Sequence, residues 1–331
     1  MGALYDDDFL DALRRGAAAV APQWGLSPRT EVTLLTISEN ATFRADDPER
    51  PEPVILRVHR PNYHTREEID SELDWIEALR AERIVEAPEP LRTTDGARLA
   101  EFAHDGEPRH VAAFAFLPGA EPEPDGRLAA GFATLGEISA RLHGHARRWA
   151  APAGFARKVW DFETTIGARP HWGSWRDGLG LTAEGRATLA RCAAAIGARV
   201  AAYGAGPDRF GLVHADLRLA NLLDDGERLA VIDFDDCGFG WFGYDFAAAV
   251  SFLEEEPFIP DLAAAWVEGY RRVAPLSAED EAMLPAFVML RRLMLTAWIA
   301  THAETPTARE AGLGAYTDGT LRLADKFLSQ G

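Results

Sequence analysis

Between residues 212 and 236 the chain reads LVHADLRLANLLDDGERLAVIDFDD, gathering one histidine, one asparagine and six aspartates around two apolar runs. His214, Asp216 and Asn221 spell H-x-D-x-x-x-x-N, and Asp233 follows twelve residues after Asn221, at the end of the apolar run LAVI. A loop carboxylate, a neutral oxygen ligand five residues on and a carboxylate at a strand end form a hard-oxygen donor set. Such donors suit magnesium, which also keeps waters and substrate phosphates in its shell. With Asn221 and Asp233 on the metal, Asp216 is left to take a proton from an attacking hydroxyl. Phosphoryl transfer needs this arrangement, because the protein mainly positions the groups and neutralises charge. Other readings stand beside it. Asp and Asn are favoured turn formers, and H-x-D alone is a weak signal. A metal-dependent hydrolase would use His214, Asp216, Asp233 and Asp236 as a two-metal cluster, leaving Asn221 without a role and supplying no second histidine at ligand spacing. A catalytically inactive nucleotide-binding module would not need Asp216, Asn221 and Asp233 together.

The elements that must hold these residues fall into two regimes. Up to about residue 117 short alternating runs separated by turns (EVTLLTIS, ATFRAD, PVILRVHR, ARLAEFAH, HVAAFAFL) predict a small antiparallel sheet, with one helical interruption at 65–83. After the Pro/Gly-rich LPGAEPEPDG, helical patterns dominate: 127–147, 182–203 and several from 244 onward. Within them FGLVH, NLLDD and RLAVIDF read as short strands, and Asp225-Gly226 is a hairpin-turn signal between the last two. The expected fold is α+β and bilobal. A small antiparallel-sheet lobe with one helix (1–117) and a hinge or linker (118–126) precede a larger, mainly helical lobe (127–331) that carries the charged hairpin.

SENATF, LRVHRPNYHTREEIDSEL, HADLRLANLL and IDFDDCGFGWFGYDFA resemble the aminoglycoside phosphotransferase and choline kinase superfamily, relatives of the protein kinases. Within it they are most similar to the bacterial group containing stress-response kinase A and type II homoserine kinases. The resemblance spans about residues 31–245 and implies a protein-kinase-like fold using ATP and Mg2+. It implies Asp216 as catalytic base, Asn221 and Asp233 as magnesium ligands, and His214 as a brace of the catalytic loop. Asp245, in YDFA, matches a carboxylate that holds that loop's backbone. Ser38 and Asn40, in SENATF, fall where a loop folds over the nucleotide phosphates, and Phe116 and Leu117, in FAFLPG, where a kinase hinge meets adenine through backbone groups. An ordinary hairpin turn and an apolar strand end are the plainer readings of these last two segments.

One ion pair follows from periodicity alone. Alternation in PVILRVHR puts Val54, Leu56 and Val58 on one face and Ile55, Arg57 and His59 on the other. The next helix opens with a capping box, Thr65 to Glu68, and carries an apolar stripe of Ile69, Leu73, Ile76 and Leu79. Glu72 falls on that stripe, where a carboxylate is costly unless paired. Arg57 is the obvious partner, and kinases hold nucleotide phosphates with such a pair. Family members more commonly have lysine there; arginine stays charged and grips two phosphate oxygens. The alternative is a surface ion pair of little value.

Composition bounds the rest. The 331 residues include 34 Lys plus Arg against 52 Asp plus Glu, a formal charge of −18, which argues against nucleic-acid or anionic-membrane partners. Cys192 and Cys237 are the only cysteines, which fits a reducing, cytoplasmic location. AFVMLRRLMLTAWIATHA, broken by Arg291 and Arg292, reads as a buried amphipathic helix rather than a membrane span. Trp160, Trp172, Trp175 and Trp241 would either line a substrate pocket or fill the core. Only eleven residues separate Asp233 from Asp245, too few for the long activation segment on which protein kinases lay a peptide, so a small-molecule hydroxyl acceptor is expected. Asp235, Asp236 and the run Glu254 to Glu256 favour a cationic one if they face the site, such as a hydroxylated amine, a homoserine-like amino acid or an aminoglycoside. A protein serine/threonine kinase of the stress-response type is the alternative that the resemblance leaves open. MgATP is expected between the lobes.

Overall fold

In the computed structural model, which describes residues 7–37, 40–122 and 128–330, the alternating runs of the first third pair into one antiparallel sheet. Its strands are β1 (Glu31–Ile37), β2 (Ala41–Asp46), β3 (Val54–Val58), β4 (Pro90–Leu91), β5 (Leu99–His104) and β6 (Glu107–Ala115). Their order is β1-β2-β3-β6-β4, with β5 also paired to β6. Val54, Leu56 and Val58 enter a core with Phe43, Ala45, Val111 and Ala113, as the period of two requires. Leu13, Ala17 and Val20 complete that core from α1 (Asp7–Val20), a helix in addition to the one expected. The expected helix is α2 (Arg66–Ala81). Its capping box is formed in both directions: Glu68 N–H donates to Thr65 Oγ1 at 3.2 Å, and Thr65 N–H donates to Glu68 Oε2 at 2.8 Å.

The chain divides into two compact units. The first joins Met1–Gly119 to a later segment, Ala151–Ala156, and the second holds Ala120–Ala150 and Arg157–Gly331. Ala156 N–H donates to Ser71 Oγ of α2 at 2.9 Å, so the chain returns to the first unit after α3.

The second unit comprises α3 (Leu128–Arg148), β7 (Val159–Trp160), α4 (Phe162–Thr165), α5 (Ala183–Tyr203), β8 (Phe210–Val213), β9 (Leu222–Asp224), β10 (Leu229–Val231), β11 (Gly238–Trp241), α6 (Tyr244–Ala249), α7 (Ile259–Val273), α8 (Ala278–Thr301), α9 (Pro306–Glu310) and α10 (Gly314–Ser329). β9 and β10 form the charged hairpin, and β11 lies between β8, antiparallel, and β7, parallel. The hairpin turn is longer than a two-residue Asp-Gly turn. Asp225 Oδ1 accepts from Glu227 N–H at 2.9 Å and Arg228 N–H at 2.8 Å, an Asx-type arrangement.

α8 is buried, as expected, and more completely than an amphipathic helix: every residue from Ala286 to Ile299 is covered, Arg291 and Arg292 included. Its length and composition match a membrane span, yet 83% of its most apolar window is covered by the protein. Two internal arginines are tolerated because each finds several acceptors. Arg292 donates to Glu254 Oε2 at 2.7 Å, Thr320 Oγ1 at 2.9 Å and the Tyr316 carbonyl at 3.0 Å. Trp160, Trp172, Trp175 and Trp241 are all buried, which places them in the core.

α3 and α7 touch through backbone. A Cβ on Gly136 would stand 2.0 Å from the Trp266 carbonyl oxygen, and one on Gly269 would stand 1.8 Å from that of Ala133. Alanine raises helix propensity by about 1 kcal/mol over glycine. Here the clashing atoms are main chain and cannot rotate away, so overpacking of roughly 1–3 kcal/mol or more outweighs that gain. Gly136→Ala and Gly269→Ala are each predicted to lower the denaturant midpoint, whereas Gly131→Ala, which meets nothing within 4 Å, should not. Equal behaviour of the three variants in urea titrations would contradict the close packing.

Candidate active site

The loop after β8 is built around one carboxylate. Asp245, fully buried in the first turn of α6, accepts Ala215 N–H on Oδ1 at 2.7 Å and His214 N–H on Oδ2 at 3.3 Å. His143 Nε2 lies 2.9 Å from the same Oδ2, and its Nδ1 lies 3.1 Å from the Tyr270 hydroxyl. With Asp245 Oδ2 as acceptor, His143 carries its proton on Nε2, and Nδ1 accepts a hydrogen bond from the Tyr270 hydroxyl. Burial pulls the His143 pKa below its ordinary value, against the opposing pull of Asp245.

His214 closes the loop from the other side. Its Nδ1 accepts the Asp216 N–H at 3.3 Å, which leaves Nε2 to donate to the Ile232 carbonyl at 3.1 Å. Ile232 N–H in turn donates to the Asn221 carbonyl at 2.9 Å, so the residue before Asp233 is fastened to both His214 and Asn221. The Asn221 amide donates to the Asp216 carbonyl at 2.8 Å and to Asp216 Oδ2 at 2.6 Å. Both partners are pure acceptors, which fixes the amide orientation and leaves its oxygen as a ligand atom. Asp233 is half-buried, with φ 58° and ψ 68°. A non-glycine residue in this left-handed region is uncommon and concentrates at functional sites. An amide oxygen and a carboxylate, both hard donors, fit a magnesium ion.

Asp216 is more enclosed than its motif implies. Oδ1 accepts from Arg291 at 2.5 Å, while Oδ2 accepts from Arg218 Nε at 3.2 Å besides Asn221. Burial pushes its pKa up, but Arg218, then Arg291 and His214, more than reverse that and hold the carboxyl below its usual range. It is therefore ionised at neutral pH. Burial opposes the charge on Arg291, but Tyr244 and Asp216 keep its pKa above the ordinary arginine value.

The segment after Asp233 is held by its carbonyls. Arg157 donates to those of Cys237, at 2.6 Å, and Asp235, and Trp160 Nε1 donates to that of Asp236 at 2.8 Å. The acidic run further on does not form an acceptor site. Glu254 is buried and neutralised by Arg292, with Tyr316 Oη on its other oxygen at 3.2 Å, and Glu255 binds Arg322 at 2.7 Å.

In the first unit Arg57 and Glu72 meet as the periodicity required. Arg57 donates to Glu72 Oε2 at 2.5 Å, the two residues are 5% and 0% exposed, and the guanidinium lies 5.0 Å from the Phe114 ring centre. This is an interior pair, not a surface one. Glu72 Oε1 has no hydrogen-bond partner among the described residues. Asn40 is buried and accepts the Arg60 N–H at 3.0 Å, which ties the β1–β2 loop to the end of β3. Ser38 lies outside the described residues. Phe116 and Leu117 are half-buried just beyond β6, with the Arg44 guanidinium 5.1 Å from the Phe116 ring centre.

Four contributors escaped the sequence reading. Arg218 carried a signal, being a cation two residues after Asp216, and so did Arg291, a charge inside an apolar helix. His143 and Arg157 gave none, because their partners lie far away in the chain, 102 residues on for His143 and 78 and 80 for Arg157.

Paired β-rich and helical units, a buried Arg–Glu pair and an Asp–Asn loop tied to a second Asp define a kinase-type phosphotransferase. The phosphotransferase enzyme family matches residues 32–276, and the chain belongs to that family. It is 31% identical to a homoserine kinase of Gluconobacter oxydans (strain 621H), over 72% of this chain and 75% of that protein. The solved structure of the microcompartment-associated aminopropanol kinase is 45% identical, covering 95% of this chain and 97% of the other, with a TM-score of 0.87. An amicoumacin kinase solved with AMP-PNP and Ca2+ shares the fold at 20% identity, covering 97% and 94% of the two chains, with a TM-score of 0.76.

Removing one partner of the interior pair should be far costlier than removing both. Arg57→Met strands the Glu72 carboxylate and is expected to lose about 3–5 kcal/mol of unfolding free energy, whereas the double variant with Glu72→Met should recover most of it. A double variant no more stable than the single one would refute this.

His143 gives a pH signature. Its folded pKa lies below the unfolded value of about 6.5, so the unfolded chain binds more protons in acid. Its contribution is intact above that pH and is lost as pH falls below it. The drop in urea midpoint from pH 7.5 to 5.5 should be smaller in His143→Gln than in the wild type; equal drops would remove His143 from the linkage.

Proposed function

We propose that this kinase transfers the γ-phosphoryl group of MgATP to the hydroxyl of a small hydroxylated amine of the aminopropanol type, with Asp216 as the base. The observation that supports this is the pair of hydrogen bonds from the Asn221 amide to Asp216, which orient an ionised carboxylate and leave the amide oxygen as a ligand atom. Bound Mg2+ would neutralise phosphate oxygens there, held by Asn221 and Asp233.

Asp216 accepts the acceptor's hydroxyl proton as that oxygen bonds to phosphorus. The bond from phosphorus to the bridging oxygen breaks, and its electron pair leaves with ADP. Arg218, half-exposed beside Asp216, is a cation for the equatorial oxygens of the moving group. Arg57, backed by Glu72, would grip the remaining phosphates, with Asn40 near them and Phe116 and Leu117 at the adenine. His214 and Asp245 hold the loop and take no proton.

The identity to an aminopropanol kinase, 45% over nearly the whole chain, supports an amino alcohol, and the homoserine kinase relative supports an amino acid of similar shape as runner-up. The stretch from Asp233 to Asp245 folds into a 3-10 turn, β11 and the start of α6, which favours a small molecule over a protein acceptor.

Purified enzyme with MgATP should phosphorylate aminopropanol faster than homoserine, an aminoglycoside or a generic protein substrate, measured by ADP release and mass of the product. Asp216→Asn should lower turnover by ~10²-fold or more with nucleotide affinity retained. Phosphate appearing only on protein, or full turnover in that variant, would overturn the reading.

A further inference from the structure

Arg291 comes from α8, 75 residues beyond Asp216, and all three of its guanidinium nitrogens are engaged. Nε donates to Ser251 Oγ at 3.2 Å. Nη1 donates to the Ala215 carbonyl at 3.0 Å and lies 3.3 Å from the Tyr244 hydroxyl. Nη2 donates to Asp216 Oδ1 at 2.5 Å. The planar head is also flanked by the Trp172 and Tyr244 rings, at 5.3 and 5.7 Å from their centres.

Two features of the loop give these bonds a purpose. Ala215 is fully buried with φ 66°, a conformation that L-residues avoid and that persists only where its surroundings enforce it. Asp245 holds its N–H and Arg291 its carbonyl, so the strained residue immediately before Asp216 is gripped from both sides. The second feature is the division of donors on Asp216. A carboxylate has about four lone-pair sites, two on each oxygen. Among the described residues Oδ2 has two donors, Asn221 and Arg218, and Oδ1 has one, Arg291. The unfilled site is on Oδ1, the oxygen that Arg291 holds.

We propose that Arg291 is the positioning residue of the reaction, fixing Oδ1 of Asp216 as the atom that receives the acceptor's proton. The proposal rests on Asp216 acting as the base. Arg291 touches neither substrate nor nucleotide in this role; it acts through Asp216. A lysine would keep the positive charge but, as a single point donor on a flexible stem, would not hold the Ala215 carbonyl and Oδ1 at one fixed angle. Charge compensation alone and positioning therefore predict different outcomes.

The test compares Arg291→Lys, Arg291→Met and the milder Ser251→Ala, which loosens the guanidinium without touching Asp216. Phosphoryl transfer to aminopropanol and the slow hydrolysis of MgATP, in which water replaces the acceptor, are both followed. The second readout keeps the comparison valid if aminopropanol is not the acceptor. Both Arg291 variants should lose kcat by ~10-fold or more, and Ser251→Ala by ~3-fold, with the KM for MgATP within about 2-fold of wild type. In an Asp216→Asn background Arg291→Lys should cost less than ~3-fold further, because a residue that acts only through Asp216 has little left to lose. Wild-type kcat in Arg291→Lys and Ser251→Ala, or losses that multiply fully with Asp216→Asn, would overturn the positioning role. An Asp216→Asn enzyme that turns over normally would instead overturn the assignment of the base.

Discussion

The loop after β8 exists in its present shape because one buried carboxylate accepts two consecutive backbone N–H groups. Asp245 binds the N–H groups of His214 and Ala215, and that forces the peptide ahead of Asp216 into a conformation it would not choose alone. A buried anion is tolerable only if fully satisfied, so its other demands propagate outward. They are met by His143 from α3, itself held by Tyr270 from α7, and those two helices approach closely enough because Gly136 and Gly269 carry no side chain. Core packing of two helices and the aim of a loop are thus a single chain of contacts.

Local chemistry was legible in the sequence wherever the partners were close in the chain or fixed by a period. The H-x-D-x-x-x-x-N spacing, the capping box at Thr65 and the convergence of Arg57 with Glu72 follow from turn geometry, cap chemistry and the periods of strand and helix. What escaped was set by tertiary context. α1 is amphipathic, but what its apolar side packs against, the core of the sheet, is not visible in its own stretch of sequence. Arg291 and Arg292 look like the polar side of an amphipathic helix, because a sequence shows a charge without showing the carbonyls and carboxylates waiting for it. Glu254 looks like part of an acidic surface for the same reason: it lies in the turn between α6 and α7, and its partner Arg292 lies on α8.

The two units solve the problem of an interior charge differently. Arg57 and Glu72 form a buried pair against an aromatic ring, with one Glu72 carboxylate oxygen lacking a partner among the described residues. Such a pair is weak as a source of stability but strict in geometry. Arg291 and Asp216 belong to a web that also holds the charged Arg218 and the neutral groups of Asn221, Ser251, Tyr244 and the Ala215 carbonyl.

The left-handed Ala215 also restricts which sequences this family member can explore. With its side chain fully enclosed, the position excludes bulk, and with φ 66° it excludes β-branching, so glycine is the one neighbour in sequence space that relieves rather than aggravates the strain. A saturation library at residue 215 would therefore collapse to two letters. The loop around Ala215 is thereby little free to drift, whereas the solvent-facing turn at 225–228 has no such filter.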